Sequence, residues 1–354
     1  MKVVLVEPVD ESVTAPLQAF EWSVDSGTDG GAGETRVVWD DLTREAIGDR
    51  SMPRPVRFSW RAVPEAPDGV RYDLLVTPQT PRARTRGLLD LPTPEADLWH
   101  LHLGVRYTWQ VVAKVRGQVV ATSPSRSFTT HTAPPRWIWA PGITNVRDLG
   151  GWPVRGGGRV RQGMVYRGSE MNGHVLIEEE GRHTLLEELG VRTDLDLRGE
   201  AEQPRPALDE DRVRWVNIPV EPYSAIAREH LLGREAYRQV VGLLADPAVY
   251  PLLMHCWGGA DRAGTVAFLL GALLGMSREH LIQDYEATSL SIWGIRSHTS
   301  PEFGELLQAL DQSGRGSSDH QQQVEDYLTA SGVTREELDA IRGHLVEHEP
   351  TALG

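Results

Sequence analysis

The sequence predicts two domains of different class: an all-β sandwich over residues 1–133, followed over 134–354 by an α/β domain whose central sheet is flanked by helices. Three observations carry this. Through much of the first third, apolar residues alternate with polar ones, the period of strands buried on one face. After residue 133, short apolar runs alternate with stretches of helical spacing, the pattern of a sheet covered by helices. Between the halves, His131-Thr-Ala-Pro-Pro135 places two prolines where neither fits a strand interior, so the segment reads as a linker.

In the first half, Val56, Phe58 and Trp60 alternate with polar neighbours, as do Tyr72, Leu74 and Val76. Tyr107, Trp109, Val111, Ala113 and Val115 form the longest such run, and residues 3–6 supply a first strand. Strands at this spacing, separated by Pro, Gly and Asp turns, suggest a sandwich. Residues 25–55, Gly-rich and charged, then read as a long insertion. The Phe58-Ser-Trp60, Tyr107-Thr-Trp109-Gln-Val111 and Ser127-Phe-Thr129 segments resemble a fibronectin type III-like module.

In the second half, the Gly156–Gly158 turn predicts a hairpin over 158–167. A helix over 177–189 is closed by Gly190 as its C-terminal cap. Strands follow over 191–197, Val213–Val220 and Tyr250–His255, with a helix over 234–245 between the last two. Val266, Leu269, Leu270, Leu273 and Leu274 have the spacing of a helix with a broad apolar face. Further helices are expected near 278–288, 301–312, 319–330 and 334–346, the last opened by a Thr334-x-x-Glu337 capping box.

The 354 residues carry a net charge of −14. Such a surface repels nucleic acid and anionic membranes, so an anionic substrate needs a local basic or dipolar pocket. The single cysteine forbids an intramolecular disulfide and fits a reducing compartment. The apolar stretch near the N-terminus is too short for a secretory signal, and no run approaches the ~18 apolar residues of a membrane span. These features predict a cytoplasmic protein.

The chemistry is carried by His255-Cys-Trp-Gly-Gly-Ala-Asp-Arg262-Ala-Gly-Thr265, between the apolar strand and the apolar helix. Gly258 and Gly259 can take positive φ and bring backbone amides together. Successive inward amides make an anion nest, and the following helix aims its positive end at the same point. The dipoles and the Arg262 cation that hold a phosphate also stabilise a thiolate, which makes Cys256 a candidate nucleophile toward phosphorus. Arg262 can grip two phosphoryl oxygens in a bidentate fork, which Lys cannot do. Positioning and charge stabilisation are what phosphoryl transfer chiefly needs.

His-Cys-x5-Arg resembles the signature loop of protein-tyrosine phosphatases. The form with Asp directly before Arg is similar to that of the atypical bacterial family that includes dual-specificity and lipid phosphatases. Asn145-Val-Arg-Asp-Leu-Gly-Gly151, Tyr166-Arg-Gly-Ser169 and Asp196-Leu-Arg198, with Glu200 and Glu202 close behind, resemble further motifs of that family in the same order. The resemblance spans about residues 137–290. It implies a cysteine-phosphatase fold, a cysteinyl-phosphate intermediate, and neither metal nor cofactor. It also implies a phosphorylated protein or small phosphoester as substrate, phosphotyrosine first. In its terms Cys256 is the nucleophile and Arg262 binds phosphate. Asp261 is the acid or base within the loop, Asp196 and Arg198 support the pocket, and His255 orients the loop. Trp257, Gly258, Gly259, Ala260, Ala263 and Gly264 complete the phosphate-binding segment. Trp257, beside the nucleophile, could wall the pocket.

Two positions depart from the family pattern. Ala260 stands where Lys is common, which weakens the expectation of a multiply phosphorylated lipid substrate. Ala263 stands where Thr or Ser is common. The absent hydroxyl normally helps the thiolate leave, so slow hydrolysis of the phosphoenzyme is expected, and Thr265 is offset from that place. Glu221, in Val216-Asn-Ile-Pro-Val-Glu-Pro222, is a second candidate acid. A phosphate-binding module that has lost turnover is the competing expectation. Docking of a partner is the role open to the sandwich, since fold alone assigns none.

Overall fold

Alternating burial along the strands organises the first part of the chain into two sheets. The computed structural model describes residues 1–18, 49–80, 84–313 and 317–348. Lys2–Glu7, Val56–Val63 and Glu95–Leu98 form an antiparallel three-stranded sheet. A second sheet runs in the order Ser12–Val13, Arg126–Thr129, Arg106–Val115, Val70–Pro78, Arg86–Leu91, with Gln118–Thr122 also pairing Arg106–Val115. The inward residues are those the alternation singles out. Phe58 meets Trp109 edge-on at 5.1 Å between ring centres and Phe128 at 5.6 Å, so one apolar core serves both sheets.

The chain divides into two compact units. The first holds residues through 18 and from Pro53 to Arg136; the second runs from Trp137 onward and takes in residues 49–52. The boundary thus falls three residues later than the sequence suggests, and the end of the expected insertion belongs to the second unit. The insertion through residue 48 lies outside the described residues.

Six strands, among the described residues, form one sheet in the order Arg136–Trp137, Arg147–Asp148, Val165–Gly168, Leu252–His255, Thr193–Asp196, Arg214–Asn217. The last four are parallel, and Gly168, His255 and Asp196 lie level at their C-terminal ends. Burial on both faces explains why Leu252, Leu253 and Met254 read as a continuous apolar run. The Arg262–Leu273 helix is buried at every residue from Ala263 on. It joins Leu252, Met254, Tyr237, Leu310 and Tyr327 in the main core. Helices Arg278–Ala287, Pro301–Ser313, His320–Ala330 and Arg335–Leu345 fall where expected. Thr334 and Glu337 cap the last one reciprocally, with the Thr334 amide donating to Glu337 at 2.7 Å.

Two elements differ from expectation. Residues 158–167 are not a hairpin: Arg159–Val160 pairs with Val346–Glu347, whereas Val165–Gly168 joins the main sheet. The 177–189 helix is two short pieces, an α-turn over Glu179–His183 and a π-turn over Thr184–Glu188. No helix among the described residues is long and apolar enough to cross a membrane.

Candidate active site

Cys256 follows the last residue of the Leu252–His255 strand, and Arg262 opens the Arg262–Leu273 helix. The sheet therefore delivers the thiol, and the helix its positive end, to one place at the C-terminal edge of the parallel strands.

The shape of the intervening loop follows from its carbonyls. That of Cys256 lies 3.4 Å from His255 Nδ1. The Trp257 carbonyl accepts from the Glu170 amide at 2.8 Å, and the Gly258 carbonyl from Asn145 Nδ2 at 2.9 Å. Arg167 Nη2 donates to the carbonyls of both Gly259 and Ala260, at 2.7 and 3.1 Å. In a trans peptide the carbonyl and the next amide point in opposite directions. Fixing these carbonyls outward turns the amides of Trp257 through Asp261 the other way, and none donates to a protein acceptor among the described residues. The result is an anion nest beside Cys256.

The two glycines serve different ends. Gly259 has φ +65°, and a Cβ there would lie 2.3 Å from the Gly168 carbonyl oxygen. Gly258 does not take positive φ, contrary to the sequence reading. It is required because a Cβ would sit 2.7 Å from the Trp293 ring.

Beneath the loop lies a buried charge cluster. Asp284 accepts from Arg147 Nε at 2.8 Å and Arg167 Nη1 at 2.6 Å, and Arg147 Nη1 donates to Asn145 Oδ1 at 2.5 Å. Burial pushes the Asp284 carboxyl up, but Arg147 and Arg167 outweigh it and hold the group below its usual range. Burial, then Arg167, bring Arg147 down to about 10, so Arg147 stays charged at neutral pH. Two cations against one anion leave a net positive charge under the nest, the sign that favours a bound phosphate. Residues 49–52 reach the same place from behind. The Arg50 amide donates to Leu290 at 2.7 Å, the Asn145 amide donates to Ser51 Oγ at 3.1 Å, and Asp49 accepts from Thr144.

The other predicted residues are placed as follows. Arg262 forks onto Glu202 at 2.5 and 2.7 Å. Burial opposes its charge, yet Glu202 and the neighbouring Cys256 sulfur hold its proton more tightly than usual. Asp196 and Glu170 grip Arg198, with Arg198 Nη2 2.7 Å from Asp196 and Nη1 3.0 Å from Glu170, all buried. Trp257 is 38% exposed and stacks on His174 at 3.9 Å. Ala260 and Ala263 are buried, and a Cβ on Gly264 would crowd Arg167 Nη2 at 3.1 Å. Thr265 donates to the Asp261 carbonyl at 2.9 Å and accepts from the Tyr223 amide at 3.1 Å, so its hydroxyl is already committed.

Both candidate acids are engaged with cations. Glu221 is a surface carboxylate paired with Arg228 at 3.2 Å and His230 at 3.7 Å. Asp261 takes Arg296 Nε at 2.7 Å and Nη2 at 2.9 Å, together with the Tyr223 hydroxyl. The expectation that Asp261 donates a proton therefore meets a carboxylate that already accepts from three donors, two of them guanidinium N–H groups. Glu202, Arg296, Tyr223, Asn145 and Arg167 carry roles the sequence reading did not assign, although all but Arg296 and Tyr223 lie in motifs it singled out.

His255 is buried, with Nε2 3.0 Å from Asp194 and 4.0 Å from Asp196. Burial lowers its proton affinity, but Asp194 and Asp196 raise it by more, so its folded-state pKa is raised. A raised value means that its stabilisation is full below the unfolded ~6.5 and is lost as pH rises through the folded value. In urea unfolding, the stability gap between wild type and His255→Gln is expected to be wider at pH 6 than at pH 9. An equal gap at both would place the contribution elsewhere.

A parallel sheet that ends in a thiol-headed loop, closed by an arginine on the next helix, is the arrangement of an α/β phosphatase domain. The sequence model of the Tyrosine phosphatase family matches residues 138–347, and the chain belongs to that family. A Cupriavidus necator protein, provisionally named a tyrosine-protein phosphatase, is 31% identical over 167 residues, 40% of this chain and 59% of the relative's length. Among solved structures, the catalytic core of the PP-IP phosphatase Siw14 from S. cerevisiae is 17% identical with a TM-score of 0.28, covering 37% of this chain and 74% of that one. PTPMT1 in complex with PI(5)P is 10% identical with a TM-score of 0.28, covering 48% and 93%.

Proposed function

We propose that the chain hydrolyses phosphomonoesters through a cysteinyl-phosphate intermediate on Cys256, with phosphotyrosine in a protein as the leading substrate. The observation that carries this is the nest: the amides of Gly258–Asp261 face the opposite way from carbonyls pinned by Asn145, Arg167 and Glu170. In this reading the amides and the helix end bind the three equatorial phosphoryl oxygens. Arg262 turns part of its fork from Glu202 to the substrate, and Glu202 keeps it oriented. Cys256 Sγ then lies in line with the leaving oxygen. The first unit, with its fibronectin type III-like character, serves as a docking platform for the phosphorylated partner. Phosphoserine, phosphothreonine, inositol phosphates and phosphoinositides are the alternative substrates.

The test is acid-quenched mass spectrometry during p-nitrophenyl phosphate turnover. A phosphate adduct on the Cys256 peptide is expected, and turnover without one overturns the reading. Ala263 and the committed Thr265 hydroxyl favour slow breakdown of the adduct. Stopped-flow traces should accordingly show a burst of about one p-nitrophenolate per enzyme before a slower steady rate. The second reading, a phosphate-binding module without turnover, draws on the same two residues. It predicts phosphopeptide binding with neither burst nor steady rate.

A further inference from the structure

The leaving oxygen of a phosphate ester needs a proton unless its own acidity lets it depart as an anion. Asp261 is badly placed to give one. Its Oδ1 accepts from Arg296 Nε and the Tyr223 hydroxyl, and its Oδ2 accepts from Arg296 Nη2. A guanidinium only donates. A neutral Asp261 would crowd a proton among three donors and take the counter-charge from Arg296, whose Nη1 otherwise reaches only the backbone carbonyls of Trp293, Gly294 and Ile295. The surrounding elements reinforce this. Tyr223 comes from the Tyr223–Ala227 turn, Tyr285 from the Arg278–Ala287 helix backs it at 2.9 Å, and Arg167 from the Val165–Gly168 strand adds positive charge. Burial pushes the Asp261 carboxyl up, but Arg296 and then Tyr223 outweigh it and hold the group below its usual range. Three other carboxylates near the site are also held by cations: Asp196 by Arg198, Glu202 by Arg262, and Glu221 by Arg228.

Resting on the cysteinyl-phosphate reading above, we propose that Arg296, with Tyr223, keeps Asp261 ionised through turnover. The leaving group then departs without a proton from the protein, and the enzyme is confined to aryl phosphates. Arg296 is a positioning residue here, acting through Asp261. As the S–P bond forms, the P–O bond to the ring breaks and its electron pair leaves on the aryloxide, which takes a proton from water. Water then attacks phosphorus and the P–S bond breaks. Its pair returns to sulfur as thiolate, and inorganic phosphate carries off both protons of that water. A tyrosine phenol has a pKa of ~10, whereas an alcohol lies near the ~15.7 of water. In a loose transition state most of that difference falls on the departing oxygen. The Trp257–His174 stack supplies an aromatic wall that suits the same substrate class.

The test compares p-nitrophenyl, phenyl and benzyl phosphate. Benzyl phosphate keeps the ring but leaves as an alcohol, which separates fit from acidity. We expect kcat/KM to fall steeply along the series, with phenyl above benzyl phosphate by about 10³-fold or more, since an enzymatic acid is worth ~10²–10⁴-fold. Neither Asp261→Asn nor Glu221→Gln should steepen that dependence. Arg296→Met should raise benzyl relative to phenyl phosphate about tenfold, most at low pH, where a released Asp261 takes up a proton. Similar rates for phenyl and benzyl phosphate, or a steeper series in either carboxylate variant, overturn the proposal. If Arg296→Met does not fold, the wild-type series and the two carboxylate variants still decide. Undiminished hydrolysis by Cys256→Ser would instead remove the cysteinyl-phosphate reading itself.

Discussion

Replacing Cys256 by serine should lower p-nitrophenyl phosphate hydrolysis about ten-thousand-fold while leaving affinity for a phosphotyrosine peptide within a few-fold. The two outcomes separate because the site has two parts. Binding rests on the amides of Gly258–Asp261, whose direction is set by Asn145, Arg167 and Glu170 and owes nothing to the sulfur. Attack on phosphorus rests on the side chain at position 256, and a hydroxyl is a far weaker nucleophile than a thiolate near neutral pH. Arg262→Lys should show the complementary pattern. The forked contact with Glu202, at 2.5 and 2.7 Å, cannot be remade by an ammonium. The cation would then sit off the equatorial oxygens, weakening both binding and rate, by about 100-fold in kcat/KM. Steady-state kinetics and isothermal titration of the three proteins check both statements. Residual hydrolysis by Cys256→Ser within tenfold of wild type would move the chemistry to another residue.

What the sequence makes legible here is what is local. Cys256, its glycines and Arg262 lie in one short run between an apolar strand and an apolar helix, so spacing alone suggests a strand, a turn and a helix end meeting at a thiol. The long alternating run of Arg106–Val115 and the capping box at Thr334 are read the same way, from neighbours in the chain. The electrostatics of the loop are not local. Asp261 looks like a free acid until the fold brings Arg296 onto both its oxygens and Tyr223 onto one, and no periodicity links those positions. Arg159–Val160 has a strand's character but not a strand's address: its partner is Val346–Glu347, at the far end of the domain. The family-like segments at Asn145 and Tyr166 could be matched by resemblance, yet their purpose emerges only in space. Asn145 and Arg167 are the residues that hold the loop's carbonyls.

That buttress yields the second large effect, an inversion between stability and activity. Asp284→Asn should cost about 3–5 kcal/mol of stability, because it strands two buried arginines without a counter-charge. Arg167→Met should cost less, since Arg147 and Asp284 remain a balanced pair at 2.8 Å. Its effect on turnover should nevertheless be the larger. Losing Arg167 frees the carbonyls of Gly259 and Ala260, and a peptide that flips there points its oxygen, not its amide, at the phosphate. One such reversal replaces an attractive dipole with a repulsive one in a water-poor site, where each oriented donor is worth roughly 10²–10³ in rate. In Asp284→Asn, by contrast, Arg167 keeps its two bonds to the loop. Urea unfolding and phosphatase assays on the two variants should therefore rank them in opposite orders. The same order in both measurements would mean that the cluster merely supports the fold and does not set the direction of the amides.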